Sequence, residues 1–339
     1  MNSTVQGNQN SSQTPEKNGF KLKYWDNRTK TVKTVKNKKT VKKDDSFFLQ
    51  LIWIAPAFFF LIIFTFYAAF IVFKNGFNGS GRFLIEWVFS TLNFRDLFED
   101  PTFIVAMRNS LVYVVVVVPI GLIISIGVAK ALSSVLNKRI FSFLQGVFFL
   151  PYVTSAMAIA MAFAFMFSPS EYGLFNRMLS AFGINAIHWT QDPRAGIWML
   201  LIFGIWRSLP FSIVMLTAAF MRVNPQYYSA ASIDGMKKWK QFWRISMPGI
   251  MPTIIYLSTI GIIGAFKAMP LGLFSSESGA ELVKAQTVVL WIYEKTTGAS
   301  QGTVSHQQAG AASIVLMGII LVITIVSRQT TKVLSKRYK

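Results

Sequence analysis

Six apolar runs, each near or above the ~20 residues a helix needs to cross a hydrocarbon core, divide the chain. They cover Phe48 to Phe73, Ala106 to Leu132, Phe141 to Phe167, Ala195 to Met221, Ile250 to Phe274 and Ala309 to Val326. The pattern predicts an all-α, polytopic membrane protein with six transmembrane helices. Pro56, Pro119, Pro151, Pro210 and Pro270 lie inside these runs. Proline is tolerated there when neighbouring helices satisfy the carbonyls it frees, so kinked spans are expected. Between the first two runs, Asn93 to Phe103 alternates apolar and charged positions at roughly helical spacing, as in a segment lying flat at the outer interface. The outer stretches Ser168 to Arg194 and Ser275 to Gln308 are rich in Gly, Ser and Thr and read as surfaces open to an external partner.

Composition supports a lipid environment. The chain is 53% hydrophobic and 14% charged, with mean hydropathy +0.44. That leaves too little polar surface to cover a water-soluble globule. A net charge of +20 raises the question of nucleic acid. However, 11 of the 34 Lys and Arg precede Ser46 without an aromatic platform, and most of the others flank apolar runs. Nucleic acid is therefore set aside. Residues 1–46, with Thr31-Val32-Lys33 and Thr34-Val35-Lys36 leading into Lys38, Lys39, Lys42 and Lys43, read as a disordered polybasic cytoplasmic tail. Such a tail attracts anionic membrane lipids by about 1 kcal/mol per charge. Counted on alternate sides, 24 Lys and Arg fall on the tail's side and eight on the other. Both termini are thus expected in the cytoplasm of a multi-pass cell-membrane protein. The six-helix membrane-spanning body covers 47–327, and 328–339 is expected to form a basic cytoplasmic C-terminal tail. The first apolar run is longer than a secretory h-region and reads as a retained helix. With no cysteine and only two histidines, neither redox nor zinc chemistry has candidate ligands, and no metal site is assigned.

The segment 222–250 is the most informative cytoplasmic connection. Asn224 and Pro225 suit an N-cap and a first helical position, Gly235 suits the end of that helix, and Pro248 marks the end of a second. A helix, a tight turn and another helix are predicted. In the second piece Trp239, Phe242, Trp243 and Ile245 alternate with Lys237, Lys238, Lys240 and Arg244, an amphipathic surface suited to a groove on another protein. The small pair Ala230 and Ala231 allows close approach. This stretch resembles the cytoplasmic EAA loop of binding-protein-dependent ABC import permeases, with its Glu-Ala-Ala, Gly and Ile-x-Leu-Pro pattern. Ala230, Ala231, Gly235, Ile245 and Pro248 match, whereas Ser229, Met236 and Met247 depart from it. Asp100-Pro101, Arg108-Asn109-Ser110-Leu111, Phe149-Leu150-Pro151, Trp206, Pro210-Phe211 and Ala309-Gly310-Ala311-Ala312 extend the likeness from Phe47 to Val326. The branch it resembles is the carbohydrate permeases related to the maltose and glycerol-phosphate systems.

The resemblance implies a type I ABC importer transmembrane domain. Tyr228, Ser229, Ala230, Ala231, Asp234, Gly235 and Met236 would then contact a cytoplasmic ABC ATPase dimer. It further implies a second homologous permease subunit and an extracytoplasmic solute-binding protein. The sequence has no Gly-x-x-x-x-Gly-Lys-Ser/Thr phosphate loop, so no cofactor is expected on this chain, with ATP and Mg carried by the partner ATPase. No catalytic residue is assigned. Arg207 and Lys267 fall inside apolar runs, where an unpaired charge costs at least ~2.5 kcal/mol. They are expected to bridge to a carboxylate or to carbonyls near Pro210 or Pro270, or to meet substrate. Tyr152, Trp206, Phe211 and Tyr256 could supply aromatic faces for a sugar. The expected cargo is a carbohydrate, with an anionic sugar derivative such as a glycerol phosphate compound as the alternative. A self-sufficient secondary transporter would call for acidic coupling-ion sites, and none of the six runs contains Asp or Glu.

Overall fold

The computed structural model describes residues 21–26, 31–36, 47–79, 87–168, 170, 173–274, 279–298 and 304–337, with backbone alone at 21–26, 31–36, 47–50 and 330–337. The chain forms two units, Met1–Phe66 and Tyr67–Lys339.

In the first unit, strands β1 (Lys21–Asp26) and β2 (Thr31–Lys36) pair antiparallel, with Lys21 opposite Lys36 and Asp26 opposite Thr31. Two segments of the tail expected to be disordered thus pair as strands, and the Thr and Val of β2 suit extended backbone. The rest of 1–46 lies outside the described residues. Helix α1 (Phe47–Leu61) passes through Pro56 into a π-helical turn, Ile62–Tyr67. Its Trp53, Phe58, Phe59, Phe60 and the following Phe64 are all exposed, a surface suited to lipid or another helix.

The second unit begins with α2 (Ala68–Gly76) and α3 (Leu92–Glu99). The amphipathic stretch expected over 93–103 is interrupted at Asp100, which caps a new helix, α4 (Pro101–Ser133). Asp100 Oδ1 accepts from the Thr102 amide at 2.8 Å, the Thr102 hydroxyl at 2.6 Å and the Phe103 amide at 3.4 Å. With proline at the first helical position, these bonds fix where the second span begins. The third apolar run folds as α5 (Lys138–Val153) and α6 (Ala156–Met166), bent by 96°. Pro151 withdraws an amide near the end of α5, and Thr154 is extended, its hydroxyl donating to the Leu150 carbonyl at 3.0 Å. The third run is therefore not one straight crossing. Among the described residues, five helices are long and apolar enough to cross a membrane, and six if this bent pair counts as one span.

Helices α7 (Leu174–Ser180) and α8 (Pro193–Arg222) follow, then α9 (Pro225–Ile233) and α10 (Lys238–Gln241). A π turn, Phe242–Ser246, joins α10 to α11 (Met247–Phe266) without a break. Pro248 therefore does not end the second helix, as had been expected. It follows directly on the π turn, whose wider winding accommodates its ring and its missing amide within the continuous helix. Last come α12 (Gly279–Leu282), α13 (Val288–Thr297) and α14 (His306–Arg337). Helix α14 runs on past residue 327, where a separate tail had been expected.

Helices α4 and α8 form the centre. Phe103, Ala106, Ser110, Tyr113, Val117, Gly121, Ser125, Ala129 and Leu132 are buried at three- and four-residue spacing along α4. Small residues let the two helices meet closely: a Cβ on Gly204 would lie 2.5 Å from carbons of the Tyr113 ring. Helices α2 and α14 cross in the same way, at Gly76 and Gly310.

The stretch around α12 and α13, expected to be an open outer surface, is not an open polar surface. Val283, Ala285, Val288, Leu290 and Trp291 are buried in the core, Val283 and Ala285 beside Gly196 of α8 and Trp291 against Phe103 of α4. Asn109 Nδ2 donates to the carbonyls of Lys284 at 2.7 Å and Gln286 at 3.0 Å, and the Val288 amide donates to Ser110 Oγ at 2.9 Å. Trp291 Nε1 donates to Thr102 Oγ1 at 2.9 Å, tying α13 to the first turn of α4.

Candidate functional site

Two features converge on one helix. The first is the hairpin of α9 and α10. Asn224 Oδ1 accepts from the Gln226 amide at 3.0 Å, and Pro225 occupies the first helical position. At the other end the Gly235 amide donates to Ser232 O at 3.1 Å and the Met236 amide to Ala231 O at 2.9 Å. This paired closure requires a left-handed residue, and Gly235 has φ +72°. The local chemistry alone therefore dictates a helix stopped at Asp234 and reversed at Gly235.

Polar side chains lock the hairpin. The buried Gln241 donates through Nε2 to Ser232 Oγ at 3.0 Å and to Met236 O at 2.9 Å. The Tyr228 hydroxyl lies 2.8 Å from Ser246 Oγ, and Ser232 Oγ donates to Tyr228 O at 2.8 Å. Lys130 Nζ, from the end of α4, lies over the rings of Phe220 and Tyr228 at 5.5 and 5.4 Å. Ala231 faces inward and is buried, while Ser229, Ala230, Ile233, Asp234 and Gly235 are exposed, and Tyr228 and Met236 half-buried. The alanine pair is thus divided, Ala231 packing the hairpin and Ala230 facing out.

The second feature is a string of three cavities. One, of about 400 Å³, is lined by Tyr113, Tyr152, Arg207, Ser208, Phe211 and Gly264, among others. A second, of about 380 Å³, shares Tyr113, Arg207 and Gly264 with it and adds Met157 and Met269. A third, of about 680 Å³, shares Met157, Pro270 and Leu271 with the second and reaches Ser168, Thr190 and Tyr293. Arg207 is the one charged residue among the described lining residues. Its Nη1 donates to Pro151 O at 3.2 Å. That carbonyl lies in the last turn of α5, where the bend removes its helical partner, so the guanidinium supplies the missing donor. Tyr152 stacks on Phe211 with centroids 5.5 Å apart.

Residues 118–339 match the family described as binding-protein-dependent transport system inner membrane component. The chain belongs to this family. The permease is 34% identical over 268 residues to a probable ABC transporter permease protein of Mycoplasma genitalium, covering 77% of this chain and 78% of the relative. It is 28% identical to the arabinooligosaccharides transport system permease protein AraP of Halalkalibacterium halodurans, covering 70% and 73%. Among solved structures it superposes, with a TM-score of 0.71 and 23% identity, on a chain of a bacterial ABC transporter involved in the import of the acidic polysaccharide alginate, covering 84% and 95%. A further match with a TM-score of 0.70 is that transporter in complex with alginate pentasaccharide-bound periplasmic protein. The likeness establishes the fold of a type I ABC importer transmembrane domain.

Of the pathway candidates in this permease, Tyr152, Arg207 and Phe211 come together, and Trp206, Tyr256 and Lys267 do not join them. Trp206 packs in the core, 5.0 Å from Phe163, and Tyr256 is about half exposed, away from the cavities. Lys267 caps the C-terminus of α11, which ends at Phe266 rather than running to Phe274 as expected. A cation there complements the negative end of the helix instead of lying buried in a span. Arg207 takes its carbonyl from Pro151 rather than from the neighbourhood of Pro210 or Pro270. Tyr113, Ser208 and Gly264 were missed by sequence reasoning. The signal was a lone tyrosine within the valine run 112–118, opposite the small residues of α8.

Proposed function

We propose that this permease forms half of a carbohydrate pathway powered by a separate ATPase, with the α9–α10 turn as the point where the ATPase acts. The carrying observation is that one continuous helix, Lys238–Phe266, closes the hairpin at one end and lines the cavities with Leu257, Ile260, Gly261, Gly264 and Ala265 at the other. Asp234 supports the interface reading. A carboxylate at a helix C-terminus is unfavourable by about 0.3–1 kcal/mol, so an exposed one suits a contact made outside the chain. The cavities offer a stacked aromatic pair, hydroxyls and a guanidinium, the groups that hold a sugar ring and its oxygens. Arg207, without a carboxylate among the lining residues, favours a sugar bearing negative charge within that class. The arabinooligosaccharide relative and the alginate transporter support the carbohydrate reading. The latter's complex with a periplasmic protein supports delivery by a solute-binding protein.

The test is reconstitution of the permease with its ATPase and binding protein, measuring hydrolysis and labelled-oligosaccharide uptake with Gly235→Val and Gly235→Asn. Valine is strained at positive φ by roughly 1–2 kcal/mol, whereas asparagine tolerates it. Uptake and stimulated hydrolysis should uncouple in the valine variant and persist in the asparagine variant. Uptake by the chain alone, or equal coupling in both variants, overturns the proposal.

A further inference from the structure

The face of α10 and its π turn is built unlike the face of α9. Trp239 is 72% exposed and Trp243 51%, in edge contact with centroids 5.7 Å apart, while Phe242 between them turns inward and stacks on Phe220. Lys237, Lys238, Lys240 and Arg244 are also exposed, and none has a carboxylate partner among the described residues. The sequence contains no Asp or Glu from Gly235 to Phe274. The two tryptophans sit four positions apart, as do Lys240 and Arg244, so an aromatic stripe runs beside a cationic one.

Position along the helix says what such a surface meets. Measured back from Phe266 at ~1.5 Å per residue, a ~30 Å hydrocarbon core ends near Ser246. Trp243 then lies about 5 Å and Trp239 about 10 Å beyond it, spanning the headgroup layer. Tryptophan favours that layer because its ring is apolar and its N–H is polar, and lysine and arginine stems reach from it to phosphates. We propose that this face docks on anionic phospholipid, with Trp239 and Trp243 seated among headgroups and Lys237, Lys238, Lys240 and Arg244 holding their phosphates. The ATPase contact is thereby left to the opposite arm of the hairpin, where Ala230, Ile233 and Asp234 are exposed. The proposal depends on the membrane location of the permease and not on its cargo.

Because the chain has no cysteine, Trp243→Cys takes one thiol-linked pyrene label in the full-length protein, excited beyond the absorption of the remaining tryptophans and tyrosines. Its quenching is compared in vesicles holding equal fractions of dibrominated phosphatidylglycerol or dibrominated phosphatidylcholine. Local enrichment should make the anionic quencher at least about threefold more effective, since each cation near the surface multiplies anionic-lipid affinity about fivefold. The preference should fall toward one with Lys240→Gln and Arg244→Gln, and also when salt is raised in the unmodified background, a control independent of folding. Equal quenching by both lipids overturns the proposal. So does a fluorophore that neither lipid quenches and that is shielded only when the ATPase is added, which assigns the face to protein.

Discussion

Replacing Gly204 with alanine adds one methyl group at the crossing of α4 and α8. The new carbon would lie 2.5 Å from two ring carbons of Tyr113, where a comfortable contact needs about 3.5 Å. Both backbones are held in long helices, so the ring has to shift by about 1 Å. Tyr113 is 7% exposed, and overpacking of this kind costs about 1–3 kcal/mol. The ring yields toward the two cavities it shares with Arg207, so their volume shrinks as stability falls. Gly204→Ala should therefore lower the thermal midpoint of the purified permease and reduce uptake in the reconstituted transporter. Adding Tyr113→Leu removes the colliding ring atoms, and the double variant should be more stable than the sum of the single losses by at least 1 kcal/mol. Single effects that add to within about 0.5 kcal/mol would refute the steric reasoning.

Three further outcomes follow from bonds already described. Asp100→Ala strips the cap of α4 and should cost about 1–2 kcal/mol, read as a lower thermal midpoint, with Asp100→Asn recovering most of it. Gln241→Leu removes both bonds that close the hairpin; hydrogen exchange of the Gly235 and Met236 amides should rise by at least tenfold, equivalent to about 1.4 kcal/mol, while the amides of α4 stay protected. Asn109→Leu leaves two inward carbonyls without their donor at about 1–3 kcal/mol each, and exchange should accelerate at 284–288 before it does in α8.

The spans were legible because a lipid-crossing helix needs a long apolar run, and five such helices fall on the expected stretches. The hairpin start and stop were also legible, since an Asn-Pro pair and a glycine act through their own backbone geometry. The continuation through Pro248 was not. A π turn depends on how Phe242 to Ser246 pack against α8, which local proline chemistry does not contain. The bend after Val153 likewise needs Arg207, 56 residues from Pro151, to satisfy the Pro151 carbonyl it exposes. The stretch 279–297 was misjudged as surface because the Gly, Ser and Thr of the flanking sequence, 275–279 and 298–305, mask the short apolar pieces at Val283, Ala285, Val288, Leu290 and Trp291. The residues that line the cavities were partly legible for a different reason. In lipid, an apolar side chain that faces a neighbour and one that faces acyl chains look alike in sequence. Trp206 and Tyr256 were therefore indistinguishable from Tyr152 and Phe211 until the helices were assembled.

The bend between α5 and α6 has a consequence for selectivity. By turning away from the axis of α5, α6 presents Met157 and Met161 to the largest of the three cavities, and Met157 also lines the one beside Arg207, together with Met269 from the segment after α11. Methionine is unbranched, polarizable and free to change rotamer, so it fills whatever outline its neighbour leaves. In the proposed pathway, a wall of this kind would mould itself around its contents instead of sorting them, which would place the discrimination between one ring and another upstream, before cargo enters the membrane.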